Sequence, residues 1–374
     1  MTAKLVGSVK EIGAARWNAA ANPDGVPDPH PFTTHEFFMA LEESGSASAE
    51  AGWQPCHLLT DGGVMPLYLK GHSQGEYVFD HAWADALERA GGDYYPKLQC
   101  AVPFTPVTGP RLLAQTDAAK RELLQLAAGA MGQIGASSLH ITFPTQDEWT
   151  LAGELGFLQR SGQQFHWTND GYRDFADFLS RLSSAKRKNL RKERDSVAAA
   201  GVTFRWLSGD DITEAHWDTF FDFYMDTGGR KWGTPYLTRD FFSRLGHSLR
   251  HQTLLVLAMK DGHAIAGALN LFGAGVLYGR NWGCSAYIPF LHFETCYYQA
   301  IDFAIQRGLK RVEAGAQGEH KLLRGYMPVE TYSAHVIAHP GLKRAVADYL
   351  ARERDAVREH ITELSAHGPF RKQT

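Results

Sequence analysis

The sequence predicts an α/β protein in which one structural unit occurs twice in tandem. Two blocks recur in the same order: residues 56–83 recur at 254–282 as a strand, an Asp-Gly turn and two further strands, and residues 139–166 recur at 311–335 as a strand, a short helix and a polar strand. The matching residues are Asp61 with Asp261, Trp83 with Trp282, Gln146 with Gln317, Glu148 with Glu319, Gly156 with Gly325 and His166 with His335. An Asp-Gly turn alone is a common hairpin signal, but several matches in one order indicate a duplicated unit.

The repeat divides the chain into domains and elements. We place the first domain at residues 1–170, the second at 171–340 and a charged helix with its tail at 341–374, with the join at the Asn-Asp-Gly turn of residues 169–171. Within these bounds, hydrophobic periodicity predicts helices at 117–134, 212–226, 238–249 and 290–307, strands at 139–143, 264–272 and 276–282, an aromatic strand at 77–80, and a loop at 228–233.

Composition excludes several classes of protein. The chain has 374 residues, enough for two domains with cores of their own, and its net charge of −3 creates no overall field that would gather nucleic acid. The four cysteines are scattered without metal-ligand spacing, so we expect free thiols and no metal site. Since neither a signal peptide nor an apolar run of about 20 residues is visible, the sequence predicts a cytoplasmic protein without a membrane span.

Several longer motifs carry a family resemblance. They are Gly-Glu-Tyr-Val-Phe-Asp at 75–80, Tyr-Tyr-Pro-Lys-Leu at 94–98, Val-Pro-Phe-Thr-Pro-Val-Thr-Gly at 102–109, the basic run at 186–194, Tyr-Gly-Arg-Asn-Trp-Gly at 278–283 and Ala-Gly-Ala-Gln-Gly-Glu-His-Lys at 314–321. With them the chain resembles bacterial N-acyltransferases grouped with the FemAB-like peptidoglycan peptidyltransferases. The resemblance implies two tandem GNAT-like domains with mixed, mostly antiparallel sheets. It also implies transfer of an acyl or aminoacyl group to the amine of a small molecule or a cell-wall precursor.

The donor of that group stays open between aminoacyl-tRNA and acyl-CoA, and no tightly bound cofactor is expected. CoA-dependent GNAT proteins place a glycine-rich loop before the helix that follows the splayed strands, where amides and the helix N-terminus hold the pyrophosphate. The corresponding stretch here, residues 284–292, has no such loop, which favours the tRNA donor. A third alternative is a non-catalytic binding protein on the same fold. The sequence leaves open whether the protein is a monomer or a homodimer.

A basic run is the candidate nucleic-acid surface. Its cations are Lys186, Arg187, Lys188, Arg191 and Lys192, followed by Arg194. Such a cluster can bind phosphates through release of counterions. The alternative is an ordinary solvated helix face, which is what most charge runs are.

Candidate site residues follow from strand ends and helix starts, where ligand sites of α/β proteins tend to lie. The candidate catalytic residues are Glu319, His320 and Arg280, and the candidate substrate-binding residues are Lys321, Arg324, Trp282, His292, Glu294, Asp80 and Tyr95. Glu319 or His320 could accept a proton, while Lys321 or Arg324 could hold a carboxylate or a phosphate. Glu319 could instead simply complement the dipole of the helix that it begins.

Overall fold

A computed structural model describes residues 3–231, 235–315 and 318–371, and within these the chain forms two compact units. The first unit contains the residues up to Gln163 together with Glu330–His360, and the second contains Gln164–Val329 together with the residues from Ile361 onward. These bounds differ from the domains drawn at 1–170 and 171–340, because the closing strand of each half contributes residues to both units.

The first unit has one main sheet and one small sheet, with helices packed on them. Its strands are β1 Lys4–Val6, β2 Trp53–Pro55, β3 His57–Leu59, β4 Gly63–Met65, β5 Leu67–Lys70, β6 Lys97–Cys100, β7 Leu113–Ala114, β8 Ser138–Thr142 and the start of β9 Leu158–Thr168. Its helices are α1 Val9–Ile12, α2 Ala14–Ala21, α3 His35–Glu43, α4 His81–Arg89, α5 Asp117–Ile134 and α6 Gln146–Glu154. The helix predicted at 117–134 is confirmed as α5, which begins at the Thr116 N-cap and ends at a left-handed glycine, Gly135.

The second unit is built around one longer sheet. Its elements are α7 Phe175–Arg181, α8 Ser184–Ala199, β10 Thr203–Ser208, α9 Glu214–Lys231, α10 Arg239–Ser248, β11 Thr253–Lys260, β12 His263–Gly273, β13 Val276–Cys284, α11 Leu291–Phe293, α12 Gln299–Gln306 and β14 Arg311–Glu313. A π-helix, Glu294–Tyr298, joins α11 to α12, and a 3₁₀ helix, Glu319–Arg324, follows β14. The chain then returns to the first unit, which contains most of β15 Met327–Ile337 and of α13 Pro340–Ala366. The helix predicted at 290–307 is therefore present, with a π segment inside it.

The two units share one sheet plan. In the first, β2, β5, β6 and β8 follow one another and Ser333–Ile337 of β15 closes the sheet. In the second, β11, β12, β13 and β14 follow one another and His166–Thr168 of β9 closes it. Each sheet is antiparallel except for one parallel pair, β6 with β8 and β13 with β14. The predicted tandem GNAT-like fold with mixed, mostly antiparallel sheets is confirmed.

One part of the predicted repeat is wrong and another is confirmed. The strand predicted at 77–80 is wrong: these residues form no strand and lead into α4, which begins directly after Asp80. Trp83 lies within that helix, whereas Trp282 lies on β13. The second block holds, because β8 and β14 occupy the same place in the two sheets. His335 pairs with His140 of β8, and His166 pairs with Glu313 of β14. Gln317 lies outside the described residues.

Helix α9 extends further than the sequence pattern indicates. It continues through Gly228 and Gly229 to Lys231, where a loop at 228–233 is predicted, while Trp232 and Gly233 of that loop lie outside the described ranges. Each unit has its own apolar core; Leu98, Leu139 and Leu123 belong to the first, and Leu277, Val312 and Tyr298 to the second. Among the helices that the structure describes, none is both long and apolar enough to cross a membrane.

We predict that Gly283→Ala destabilises the second unit. A Cβ atom at Gly283 of β13 would lie 2.1 Å from the carbonyl oxygen of Phe223 in α9, so helix and strand would have to move apart. Overpacking of this kind costs about 1–3 kcal/mol of unfolding free energy. Gly129→Ala in α5 is the matched control, because a Cβ there meets nothing within 4 Å and helix propensity alone would add about 0.5–1 kcal/mol of stability. Urea unfolding of both variants checks this, and equal stability of G283A and wild type would contradict it.

Candidate active site

The parallel strands of the second unit separate after three paired residues. Strand β13 pairs with β14 from Val276 to Tyr278, opposite Arg311 to Glu313, and then continues to Cys284 while β14 ends. Gly279 lies at the point of separation, where a Cβ would meet the Glu313 carbonyl oxygen at 3.4 Å and the Asn270 amide oxygen at 3.5 Å. The opening is narrow, and because Gly279 has no side chain it remains accessible.

A register shift places Arg280 at the same opening. Asn270 of β12 pairs with Gly279 and Leu269 pairs with Asn281, so Arg280 is the additional residue of a β-bulge. Bulges redirect side chains and are common beside active sites. The sequence prediction of Arg280 as a site residue therefore coincides with a specific backbone irregularity.

The opening leads into a cavity of about 80 Å³, roughly the volume of two or three water molecules. Its walls are Ala268, Leu269, Asn270, Gly279, Arg280, Asn281, Trp282, His292, Cys296, Tyr297 and Ala314. Three predicted site residues, Arg280, Trp282 and His292, are thus brought together. The rings of Trp282 and His292 meet edge to face with centroids 5.2 Å apart.

The segment from α11 to the π-helix supplies the aromatic wall of the cavity. Phe290 has a left-handed backbone (φ 67°) immediately before α11, and the π turn Glu294–Tyr298 follows. A π turn shifts the side chains after it relative to a regular α-helix and often marks a functional site. Here Tyr297 and His292 both face the cavity, with ring centroids 5.3 Å apart.

His320 contacts the cavity through Tyr297. Its Nε2 atom lies 2.9 Å from the Tyr297 hydroxyl oxygen. His320 is an exposed residue, yet partial burial of its ring, and then the charges of Arg324 and Lys321, lower the pKa of the imidazole. Burial raises the pKa of the Tyr297 phenol. Both groups are therefore neutral near pH 7, and either of them could be the donor of the hydrogen bond that joins them.

The other residues predicted on the 3₁₀ helix differ in exposure. Glu319 is exposed at its first position, whereas Lys321 is 1% exposed and donates from Nζ to the Gly315 carbonyl oxygen at 2.8 Å. Burial lowers the pKa of the Lys321 ammonium to about 8. Arg324 is buried and forms an ion pair with Glu193 of α8, with Nη2 2.8 Å from Oε1.

Sequence reasoning missed Glu313, the last paired residue of β14. Its carboxyl group is 2% exposed, and neither oxygen accepts a hydrogen bond from the described part of the chain. The Arg311 Nη2 atom lies 2.8 Å from Glu313 Oε1, at ion-pair distance but without hydrogen-bond alignment. Burial raises the pKa of Glu313 to about 7, against the opposing charges of Arg311 and Arg280. A buried carboxyl group with this pKa, at the point where strands separate, is suited to accept a proton.

Besides Arg311, Glu313 lies near a neutral imidazole. His166 Nε2 lies 3.8 Å from Glu313 Oε2, and burial lowers the pKa of His166 to about 3. Sequence reasoning treated Glu313 only as a residue of a strand preceding Glu319. Its position at the carboxyl end of a parallel strand was the signal that could have identified it.

Glu294, a predicted substrate-binding residue, is buried and bonded to other side chains of the protein. It is 3% exposed, and its carboxylate accepts hydrogen bonds from Arg194 at 2.9 and 3.1 Å and from Gln299 at 2.8 Å. These contacts join α8 to the π segment.

Helix α8 has an outer cationic face. Arg187, Lys188, Arg191 and Lys192 line one shallow surface of the helix together with Asp195. Lys186 lies off that surface, and Arg194 turns inward to Glu294 and Asp302. The predicted basic run thus places four of its cations on one side, a spacing suited to a polyanion.

Asp80 and Tyr95 belong to the first unit, where they form part of a buried polar cluster. Asp80 Oδ2 accepts from Lys97 Nζ at 2.5 Å and from the Tyr94 hydroxyl at 2.7 Å. The Tyr95 hydroxyl lies 2.8 Å from Ser73 Oγ. Burial opposes ionisation of Asp80, but His140 and Lys97 nearby hold the pKa of its carboxyl group below the usual range. Its role as a substrate ligand stays a prediction.

The chain belongs to the FemAB-like family, described as peptidoglycan biosynthesis/recognition, whose model matches residues 8–372. Together, family and fold define a transferase-class protein of tandem GNAT-like architecture. No curated protein matches the sequence significantly.

Two solved structures show the shared fold. The FemX crystal structure is 12% identical with a TM-score of 0.55, covering 93% of this chain and 100% of FemX. The L-PGS structure from Bacillus licheniformis is 11% identical with a TM-score of 0.53, covering 86% of this chain and 98% of L-PGS.

We predict that Lys97→Met destabilises the first unit by about 3–5 kcal/mol, because it removes the ammonium group that pairs with both buried carboxylates, Asp80 and Glu76, and leaves Glu76 only the more distant Lys70. Lys343→Met, at an exposed position of α13, is the control and should change stability by less than about 0.5 kcal/mol. Urea unfolding measures both. If K97M unfolds like wild type, the cluster is not needed for stability. A structural role would then no longer account for the buried Asp80 carboxylate, and a role as a substrate ligand would gain support.

Proposed function

We propose that the protein is an N-acyltransferase that moves an acyl or aminoacyl group onto an amine, with the reaction at the opening between β13 and β14. The observation that carries this proposal is Glu313, buried at that opening with its pKa near 7. Membership of the FemAB-like family supports the choice of reaction. The acceptor is an amine on a small molecule or on a cell-wall precursor.

In this proposal two residues carry the proton transfers: Glu313 serves the attacking amine, and Tyr297 serves the leaving group. Glu313 takes a proton from the acceptor ammonium, and the amine nitrogen attacks the donor carbonyl. Backbone amides facing the gap, together with Arg280 on the bulge, stabilise the oxyanion. The C–N bond forms and the ester C–O bond of the donor breaks. After the attack the nitrogen loses its second proton, and Tyr297 donates its hydroxyl proton to the leaving oxygen. The proton from the nitrogen restores the Tyr297 hydroxyl, which lies within hydrogen-bond distance of His320 Nε2.

The outer face of α8 supports aminoacyl-tRNA as the donor. Its four cations offer phosphate contacts. The same helix contacts the π segment that lines the cavity and the 3₁₀ helix that carries His320. Residues 285–290 contain no glycine to bring backbone amides close to a pyrophosphate, and Tyr287 there is 93% exposed. In this proposal the protein acts in the cytoplasm, where charged tRNA is present.

Acyl-CoA is the alternative donor, favoured by the GNAT-like separation of the strands. Isothermal calorimetry with acetyl-CoA and with charged and uncharged tRNA separates the two. Saturable heat with acetyl-CoA supports the alternative, whereas binding of tRNA alone supports the aminoacyl donor. If neither ligand binds, the third interpretation, a non-catalytic binding protein, gains support.

We expect Glu313→Gln to lower kcat by about 10²–10⁴-fold, the usual contribution of a general base. In wild type, kcat/KM should rise with pH through about 7 as Glu313 ionises, and E313Q should lose that limb. The raised pKa means that ionising Glu313 costs folding stability above its unfolded pKa, so E313Q should be at least as stable as wild type at pH 8. Exposed Glu359→Gln is the control. An E313Q enzyme with an unchanged pH profile would assign the base elsewhere.

We expect the double variant Lys188→Glu/Arg191→Glu to weaken tRNA binding and to flatten its salt dependence, because about two phosphate contacts are lost and replaced by repulsion. Lys343→Glu/Arg344→Glu changes net charge equally on exposed α13 and serves as the matched control. Filter binding across salt concentrations gives both slopes. Equal affinities for the two variants would remove the basic surface from the proposal.

A further inference from the structure

The inner face of α8 contacts the site through one carboxylate. Glu193 accepts two hydrogen bonds from Arg324 Nη2, at 2.8 Å to Oε1 and 2.9 Å to Oε2, and also accepts one from the Tyr298 hydroxyl. The side chain of Glu193 is 15% exposed and that of Arg324 is 5% exposed. This is a largely buried pair, in which each charge depends on the other.

Arg324 is fixed at two further points besides Glu193. Its Nη1 atom donates to the carbonyl oxygen of His320 at 2.7 Å. The guanidinium carbon lies 3.5 Å from the centroid of the Phe293 ring, a close cation–π contact. Arg324 therefore ties the 3₁₀ helix to the segment that forms the aromatic wall of the cavity.

These contacts converge on the His320–Tyr297 pair. The Phe293 ring stacks on Tyr297, with centroids 6.1 Å apart and an interplanar angle of 19°, and lies 5.5 Å from the His320 ring. A displaced Arg324 would release both the main chain of His320 and the ring beside Tyr297. Since Tyr297 lines the cavity, such a displacement would reach the reacting atoms.

We propose that Glu193 is a positioning residue of this site: it holds Arg324, and Arg324 holds His320 against Tyr297 at the cavity wall. The proposal rests on the transfer reaction proposed above and names a residue outside the cavity on which that reaction depends. Helix α8 then has two separate roles: its outer cations offer contacts to the donor, and Glu193, on the opposite side of the helix, positions Arg324.

The decisive variant is Glu193→Gln, which keeps side-chain size and can still accept from Tyr298 but loses the charge that pairs with Arg324. Asp302→Asn is the matched control, because Asp302 pairs at 2.7 Å with Arg194, the next residue of α8, and does not contact Arg324. Both variants weaken the anchoring of α8, so an effect shared by the two reports only on stability.

We expect E193Q to lower kcat about tenfold while leaving KM for charged tRNA unchanged, and D302N to change neither by more than about twofold, since 1.4 kcal/mol of misplacement corresponds to a factor of ten. Glu193→Asp should recover part of the loss. In an Arg324→Met background, E193Q should have no further effect. An additive loss in that background, or equal losses in E193Q and D302N, would overturn the proposal.

A second readout requires no turnover. Without the Glu193 carboxylate, the uncompensated charge of Arg324 should lower the titration midpoint of His320, followed by NMR of the labelled imidazole, while D302N leaves it in place. If His320 titrates alike in wild type, E193Q and D302N, Glu193 does not position it. A shifted midpoint in a protein that transfers no acyl group from any donor would uphold the positioning role and reject the proposed reaction.

Discussion

The separation of β13 from β14 is the constraint on which the rest of the site depends. Parallel pairing ends at Tyr278 and Glu313, Gly279 leaves the gap unfilled, and the bulge turns Arg280 toward it. Because the pairing ends there, a carboxyl group can be buried without a hydrogen-bonding partner among the described residues. That burial raises its pKa into the range where a general base works at neutral pH.

The first unit has the same sheet plan, but its buried charged side chains are arranged differently. There, Lys97 donates hydrogen bonds to both Glu76 and Asp80, and the Tyr94 hydroxyl donates one to Asp80. Beyond β6 the chain continues into the buried residues Val102 and Phe104. Two sheets of one plan thus carry a buried cluster of several charged groups in one unit and a single buried carboxyl group, paired with Arg311, in the other.

Helix α8 combines two kinds of electrostatic interaction that differ in strength. On its outer face, cations such as Lys188 and Arg191 lie in water, where single charges contribute little to folding and are available to a polyanion. On its inner face, Glu193 and Arg194 form buried or half-buried pairs that orient the cavity wall. A donor bound to the outer face would therefore rest on a helix fixed against the site.

The sequence by itself determined the duplicated α/β plan, the bounds of α5, the basic helix and the elements on which Arg280, Trp282 and His292 lie, because periodicity, caps and turn residues act over a few neighbouring positions. The strand that it predicts at 77–80 is wrong, because Asp80 precedes α4 and its side chain pairs with Lys97 of β6. Nor did the sequence single out Glu313, Glu193 or Tyr297. Their chemistry comes from burial and from partners more than 20 residues away, such as His320 for Tyr297 and Arg324 for Glu193. Only the tertiary structure sets those distances, and desolvation, which shifts the pKa of Glu313, exists only once the strands are packed.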